Sequence, residues 1–240
     1  MKKIILFSIL ISGLGYSQIK LPRIKGLKLP KSIPTTVAGV DIAGGLKEAL
    51  NEGVKKEVTK LTAVDGFYRN ELVKILLPED LMKVDKTLRS LGMSKLADDG
   101  LLMLNRAAED AVKESTPIFI EAIKNINFAD AKSILMGNEN AATTFLQLGT
   151  NTALYSKFSP VIKNSLQKVG ADAVWSTIIT RYNAIPFGNK VNPDLTDYVT
   201  NQALSGVFKM ISVEEKNIRT DLKSRTSGLL QSVFALQDKK

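Results

Sequence analysis

Asn105, Arg106, Glu109 and Asp110 fall together in LNRAAEDA, a run whose other members are mostly apolar. At helical spacing Arg106 meets Glu109 at i+3 or Asp110 at i+4. A charge set among apolar neighbours must be paired, so these side chains either edge a ligand pocket or lock helices together. Asn105, Arg106 and Glu109 are therefore expected as buried polar residues, with structural pairing the commoner of the two roles. Asp98-Asp99 offers oxygen ligands for calcium. No loop of alternating oxygens with a distal bidentate Glu surrounds it, so no metal is expected there. Glu214, Glu215, Arg219 and Asp221 sit near a helix end, where Glu215 and Arg219 read as an i,i+4 surface pair. Gly44-Gly45 precedes a helix without the lysine and hydroxyl of a phosphate loop and reads as a hinge into the folded domain.

The sequence contains no Cys and no His. That removes disulfides, thiolate nucleophiles and sulfur ligands, along with the commonest general base and the commonest transition-metal ligand. Hydrolysis by two facing acids stays chemically open, but no spacing here places such a pair. The expectation is a non-enzymatic protein with no catalytic residue, no cofactor and no metal.

Residues 1–17 begin MKK, continue with a short apolar run and end with Gly15 and Ser17 at the positions before Gln18. This is the pattern of a cleaved secretory signal peptide, and the run is shorter than the roughly 20 apolar residues of a membrane span. No Cys follows it to carry a lipid anchor. Residues 18–42 form a basic, proline-containing extension with Lys20, Arg23, Lys25, Lys28 and Lys31 and a single acid, Asp41. The net charge of +9 is concentrated there, since the chain from residue 35 onward is nearly balanced. A nucleic-acid domain would instead carry its basic residues on a folded face, so none is expected. The extension is read as disordered or extended, serving as a solvated spacer or as a tether to an acidic surface.

Residues 43–236 then read as one all-α domain of about eight to ten helices, followed by a tail, 237–240. In 43–61 the residues Leu46, Ala49, Leu50, Val54, Val58 and Leu61 make one apolar stripe. Segment 63–77 is punctuated by Asp65-Gly66 and is expected to hold a short extended piece. Residues 78–92 place Leu81, Val84, Leu88 and Leu91 inward, with Gly92 as the stop. The helix from Ser94 is apolar on all sides at Leu101 to Leu104 and is expected to run through the middle of the domain. Asn127 with Asp130 predicts a capped helix ended by Gly137. Asn138 is expected to cap the next helix, Pro160 to open another, and Gly170 to stop it. Trp175, Ile178, Ile179 and Tyr182 face inward in a helix over 171–183. Asp194 and Asp197 start a long helix to about Asn217, and 221–236 closes the domain.

The motifs GLKEALNEGV, LNRAAEDA, FADAKSILMGNENAATTFL, RYNAIP, PDLTDYVTNQALSGVFKMISVEEKNIR and RTSGLLQSVF, in that order from about 43 to 236, resemble a family of secreted helical proteins of unknown function. That resemblance carries no active-site residues. Proteins of this kind also resemble the plug subunit of the Bacteroidota type IX secretion translocon. This implies a periplasmic protein whose partner is a large outer-membrane barrel, and no membrane span of its own in the mature chain. A chain of this size has a radius of gyration of about 17 Å, enough to cover an opening tens of ångströms wide. The alternative is a periplasmic helical protein that binds a small molecule or lipid, with Arg106 or Asn105 at the edge of its cavity.

Overall fold

Asp41 accepts a hydrogen bond from the Gly44 N–H at 2.9 Å and so caps helix α1, Ile42–Thr62. The computed structural model describes residues 36–37, 40–77, 82–92, 94–171 and 194–238, with six isolated positions between 171 and 194. These belong to one unit, Pro34–Lys240. The segment expected to be a signal peptide, the basic residues Lys20, Arg23, Lys25, Lys28 and Lys31, and the inward set around Trp175 lie outside the described residues. Ahead of α1, β1 (Thr36–Val37) and β2 (Val40–Asp41) pair antiparallel, Thr36 opposite Asp41 and Val37 opposite Val40.

The stripe Leu46, Ala49, Leu50, Val54, Val58 and Leu61 is buried as its spacing requires, and Gly45, Gly53 and Glu57 join it. The expected Gly44-Gly45 hinge is instead the first turn of α1. A Cβ at Gly44 would stand 2.3 Å from the Asp41 carboxylate, and one at Gly45 would stand 2.4 Å from Val233 Cγ2. These glycines allow close approach. Segment 63–77 turns without forming a strand; it buries Phe67, Val73 and Ile75 and holds Asp65 in the left-handed region at φ 68.

Helix α2, Met82–Ser90, ends before Gly92 at φ 77, the left-handed stop its type suits. Leu91, expected inside, is 69% exposed because it lies past the last helical turn. Helix α3, Ser94–Val112, departs from the all-round burial expected of it: Met103 faces solvent while Leu104, Ala107, Ala108, Ala111 and Val112 are buried. Only its second half is central.

Helix α4 is Ser115–Lys124 and α5 is Phe128–Leu135. At the start of α5, Asn127 Oδ1 accepts from the Asp130 N–H at 2.9 Å and Asp130 accepts from the Asn127 N–H at 3.1 Å. This is the reciprocal cap that the spacing predicts.

Helix α6 runs unbroken over Ala141–Lys168, so Pro160 lies inside it and opens nothing. Ala142, Leu146, Thr150, Leu154, Phe158, Ile162 and Leu166 are buried at every fourth residue, straight across the proline. A proline costs a helix one N–H bond and a clash. Here it sits on the solvent side, where water can take the freed carbonyl, and the packed stripe holds the helix together. Steps of four advance that stripe by about 40° each around the axis. It therefore winds, and α6 touches α3, α4, α5 and α7 along its length. Gly170, at φ 67, follows its end as expected.

Helix α7, Leu195–Thr220, is capped by Asp194, whose Oδ1 accepts from the Asp197 N–H at 3.0 Å. It packs against α1, α3 and α6. Phe208 meets Phe119 of α4 edge-on at 6.0 Å between ring centroids. The closing element divides into a 3-10 turn, Leu222–Ser224, and helix α8, Gly228–Asp238. The described residues thus hold eight α-helices and one two-stranded pair, an all-α fold. No helix among them is long and apolar enough to cross a membrane.

Replacing Gly45 by Ala forces a methyl into Val233 of α8. Unfolding in urea should show a loss of about 1–3 kcal/mol, the usual range for overpacking. The loss should be smaller in a Val233→Ala background, where the colliding methyls are gone.

Candidate interaction surface

The Asn105 side chain reads the backbone of an irregular segment. Its Oδ1 accepts from the Ile75 N–H at 2.8 Å, and its Nδ2 donates to the Ile75 carbonyl at 2.9 Å and to the Leu101 carbonyl at 2.8 Å. Glu109 does the same for the turn above: its Oε1 accepts from the Phe67 N–H at 3.0 Å and more weakly from Tyr68 at 3.4 Å. Arg106 donates to Glu109 Oε2 at 2.5 Å and to Asp65 at 2.7 Å. Asn105 and Glu109 are buried as expected; Arg106 is half-buried, its guanidinium reaching the surface at Asp65. The hydrogen bond to Glu109 raises the Arg106 pKa further, against partial burial and with help from Asp65. Asp110 pairs with Lys113 outside. The cluster thus fastens segment 63–77 to α3, the locking role of the two expected.

Glu215 and Arg219, expected on the surface, are buried at 8% and 4% exposure. The correction has a clear cause, because three helix ends meet there. Glu215 accepts from the N–H groups of Ala142 and Thr143 at 2.9 and 2.8 Å and from the Thr143 hydroxyl at 2.8 Å, capping α6 from another helix. The expected cap, Asn138, instead accepts from Asn140 N–H in the preceding turn, at 3.3 Å. Arg219 pairs with Glu215 at 2.8 Å and donates to the Ile134 and Leu135 carbonyls at the end of α5, at 2.9 and 3.0 Å. It also donates to Gln237 of α8 at 2.8 Å.

Arg225, which the sequence reading missed, closes the third end. It donates to the Ile218 and Arg219 carbonyls at 3.0 and 2.9 Å and clasps Asp238 with both arms. That clasp holds the Asp238 carboxyl below its usual range. Its place in the short linker between two helices, where the only nearby acid is Asp221 at i−4, was the available signal.

Glu214 takes Lys56 of α1 at 2.6 Å, and Asp221 caps the 3-10 turn by accepting from Lys223 N–H at 2.9 Å. Beside this junction lies a void of about 20 Å³, room for roughly one water. Asp98 pairs with Arg89 and Asp99 with Lys95. No group of three or more potential metal ligands occurs among the described residues.

The acids and bases of the interior being engaged in this way, the features available to a partner lie outside. From Ala141 to Ser156, α6 carries no charged residue. Thr144, Gln147, Asn151 and Thr152 are nonetheless exposed, and Leu148 is 84% exposed. Alongside runs an open groove of about 440 Å³ between α6 and α7, with Leu204 and Phe208 in its floor and Lys209 as the one charge among its lining residues. The helices are antiparallel there, since Tyr155 reaches Asp197 while Thr143 reaches Glu215. The two helices are also tied by a Tyr155–Asp197 hydrogen bond at 2.6 Å, and Glu139, just before α6, pairs with Lys216 of α7 at 3.1 Å. The bond to Asp197 pushes the Tyr155 phenol up to about 12, with burial and then the Asp197 and Asp194 charges adding.

Two measurements check this geometry. Glu215→Gln leaves Arg219 buried without its counter-charge, and equilibrium unfolding should register a loss of about 3–5 kcal/mol. Paired with Arg219→Met, the loss should fall short of the sum of the single losses. In the ultraviolet phenolate titration, one tyrosine should ionise near pH 12, and Tyr155→Phe should delete that step. Because the phenol ionises near 10 when unfolded, its contribution is full below pH 10 and is lost as pH rises towards 12.

No curated protein and no solved structure matches the chain. Residues 36–235, nearly all of the described unit, match one family. The chain belongs to the family described as protein of unknown function (DUF4197).

Proposed function

We propose that this chain is a non-enzymatic interaction protein of the periplasm, which seats against the inner mouth of a large outer-membrane translocon barrel and occludes it, as a plug of a type IX secretion system. The observation that carries the reading is the uncharged, exposed face of α6 over Ala141–Ser156 with Leu148 at its centre. Sixteen helical residues extend about 24 Å. A surface helix facing only water normally carries charge on its outer side, whereas the centres of protein interfaces are depleted of it. The resemblance of the motifs to the translocon plug supplies the partner class.

A seal must also resist deformation, and the helix ends bolted together by Glu215, Arg219 and Arg225 supply that stiffness. The basic residues Lys20, Arg23, Lys25, Lys28 and Lys31 would add attraction to an acidic surface of the barrel or the membrane. The lipid- or small-molecule-binding alternative gains nothing from Asn105 and Arg106, both engaged with segment 63–77, nor from a void with room for one water.

Affinity isolation of the tagged chain from outer membranes in mild detergent should bring down a very large barrel protein. Leu148→Glu should reduce its recovery several-fold while leaving circular dichroism and the melting temperature as they are. Recovery of free monomer alone, or full retention by Leu148→Glu, would overturn the reading or its placement of the interface.

A further inference from the structure

Along the α6–α7 groove the side chains of Thr144, Gln147, Asn151 and Ser205 are exposed and make no hydrogen bond to other described residues. A primary amide offers one acceptor and two donors in a plane, the same pair of functions that a peptide group presents. The protein already uses this match once. Asn105, on α3, takes both the N–H and the carbonyl of Ile75 in an irregular stretch, at 2.8 and 2.9 Å. Gln147 and Asn151 offer the same chemistry on α6, one helical turn apart, along the lining of the groove.

We infer that the groove binds an extended, uncharged peptide segment supplied by a partner, its backbone held by Gln147 and Asn151; the inference rests on the reading of the chain as an interaction protein. The groove's lining along α6 runs from Thr143 to Asn151, about 12 Å, which about four extended residues span. No carboxylate lines the groove, so a basic segment finds no counter-charge there, and Lys209 tolerates a single acid. A neutral oligosaccharide is the competing ligand for amides and hydroxyls. Sugar rings settle on open aromatic faces, and the aromatic residue here, Phe208, is 5% exposed and packed edge-on against Phe119. The geometry therefore favours peptide over sugar.

The test uses random hexapeptides displayed on phage and selected on the full chain, with enriched sequences synthesised and titrated by calorimetry. Selection should return uncharged sequences whose dissociation constants rise at least tenfold in the Gln147→Leu/Asn151→Leu variant. Asp98→Asn, remote from the groove, should bind as the parent does, and all three proteins should melt alike. Failure to enrich any peptide, equal binding by the double variant, or binding of maltohexaose or chitohexaose that the double variant loses while peptides are ignored would each overturn the inference. Recovery of the barrel is scored separately. If peptides bind and the barrel is never recovered, the groove stands and the plug reading falls; if the barrel is recovered and peptides do not bind, the reverse holds.

Discussion

Three helix ends meet in the interior of this protein, and each brings backbone groups that have no partner in their own helix. In water those groups would be hydrated; buried, each unmet one costs about 1–3 kcal/mol. Glu215 answers the start of α6, Arg219 the end of α5, and Arg225 the end of α7. The ions offset their own desolvation by pairing with each other and with Asp238, and by accepting or donating to several backbone groups at once. Without this junction the end of α5 and the start of α6 could not be buried against α7. The packing of α8 over Gly45 depends on it too, because Gln237 and Asp238 tie that helix down.

The same device recurs on a smaller scale where Asn105 and Glu109 meet segment 63–77. In both places a polar side chain on a regular helix completes backbone that has no ladder of its own. This is why the residues with the most chemical potential in the sequence have so little of it left in the fold. Their donors and acceptors are occupied by main chain, and their positions are fixed by it. What the surface offers instead is shape and neutrality, concentrated on the outer side of α6 and the groove beside it.

How far the sequence speaks for this fold depends on the range of the force involved. The α1 stripe and the Asn127–Asp130 cap were legible because both arise within a few residues. So was the locking role of Asn105 and Glu109, since an apolar neighbourhood demands that polar groups be met. Pro160 misled because its local cost is real, yet the buried residues from Leu154 to Leu166 outweigh it through contacts that no short window contains. Glu215 and Arg219 look identical to a surface pair at i,i+4; only their partners at residues 134, 135, 142 and 143 reveal the difference. Gly44-Gly45 failed for a related reason, since a glycine that admits a neighbour and a glycine that bends leave the same letter. The groove on α6 was invisible as a site, although the long uncharged run that marks it was in plain sight.

The participants in the buried junction are spread from Ile134 to Asp238, more than a hundred positions apart along the chain. A polypeptide delivered from its N-terminus forward would present the unmet ends of α5 and α6 long before α8 arrived to clasp Arg225. Its locking is consequently a late event, and any shortened form that stops before α8 would carry Arg219 and Arg225 without Gln237 and Asp238. Until α8 is in place, the end of α7 lacks the contacts that hold it in the finished molecule.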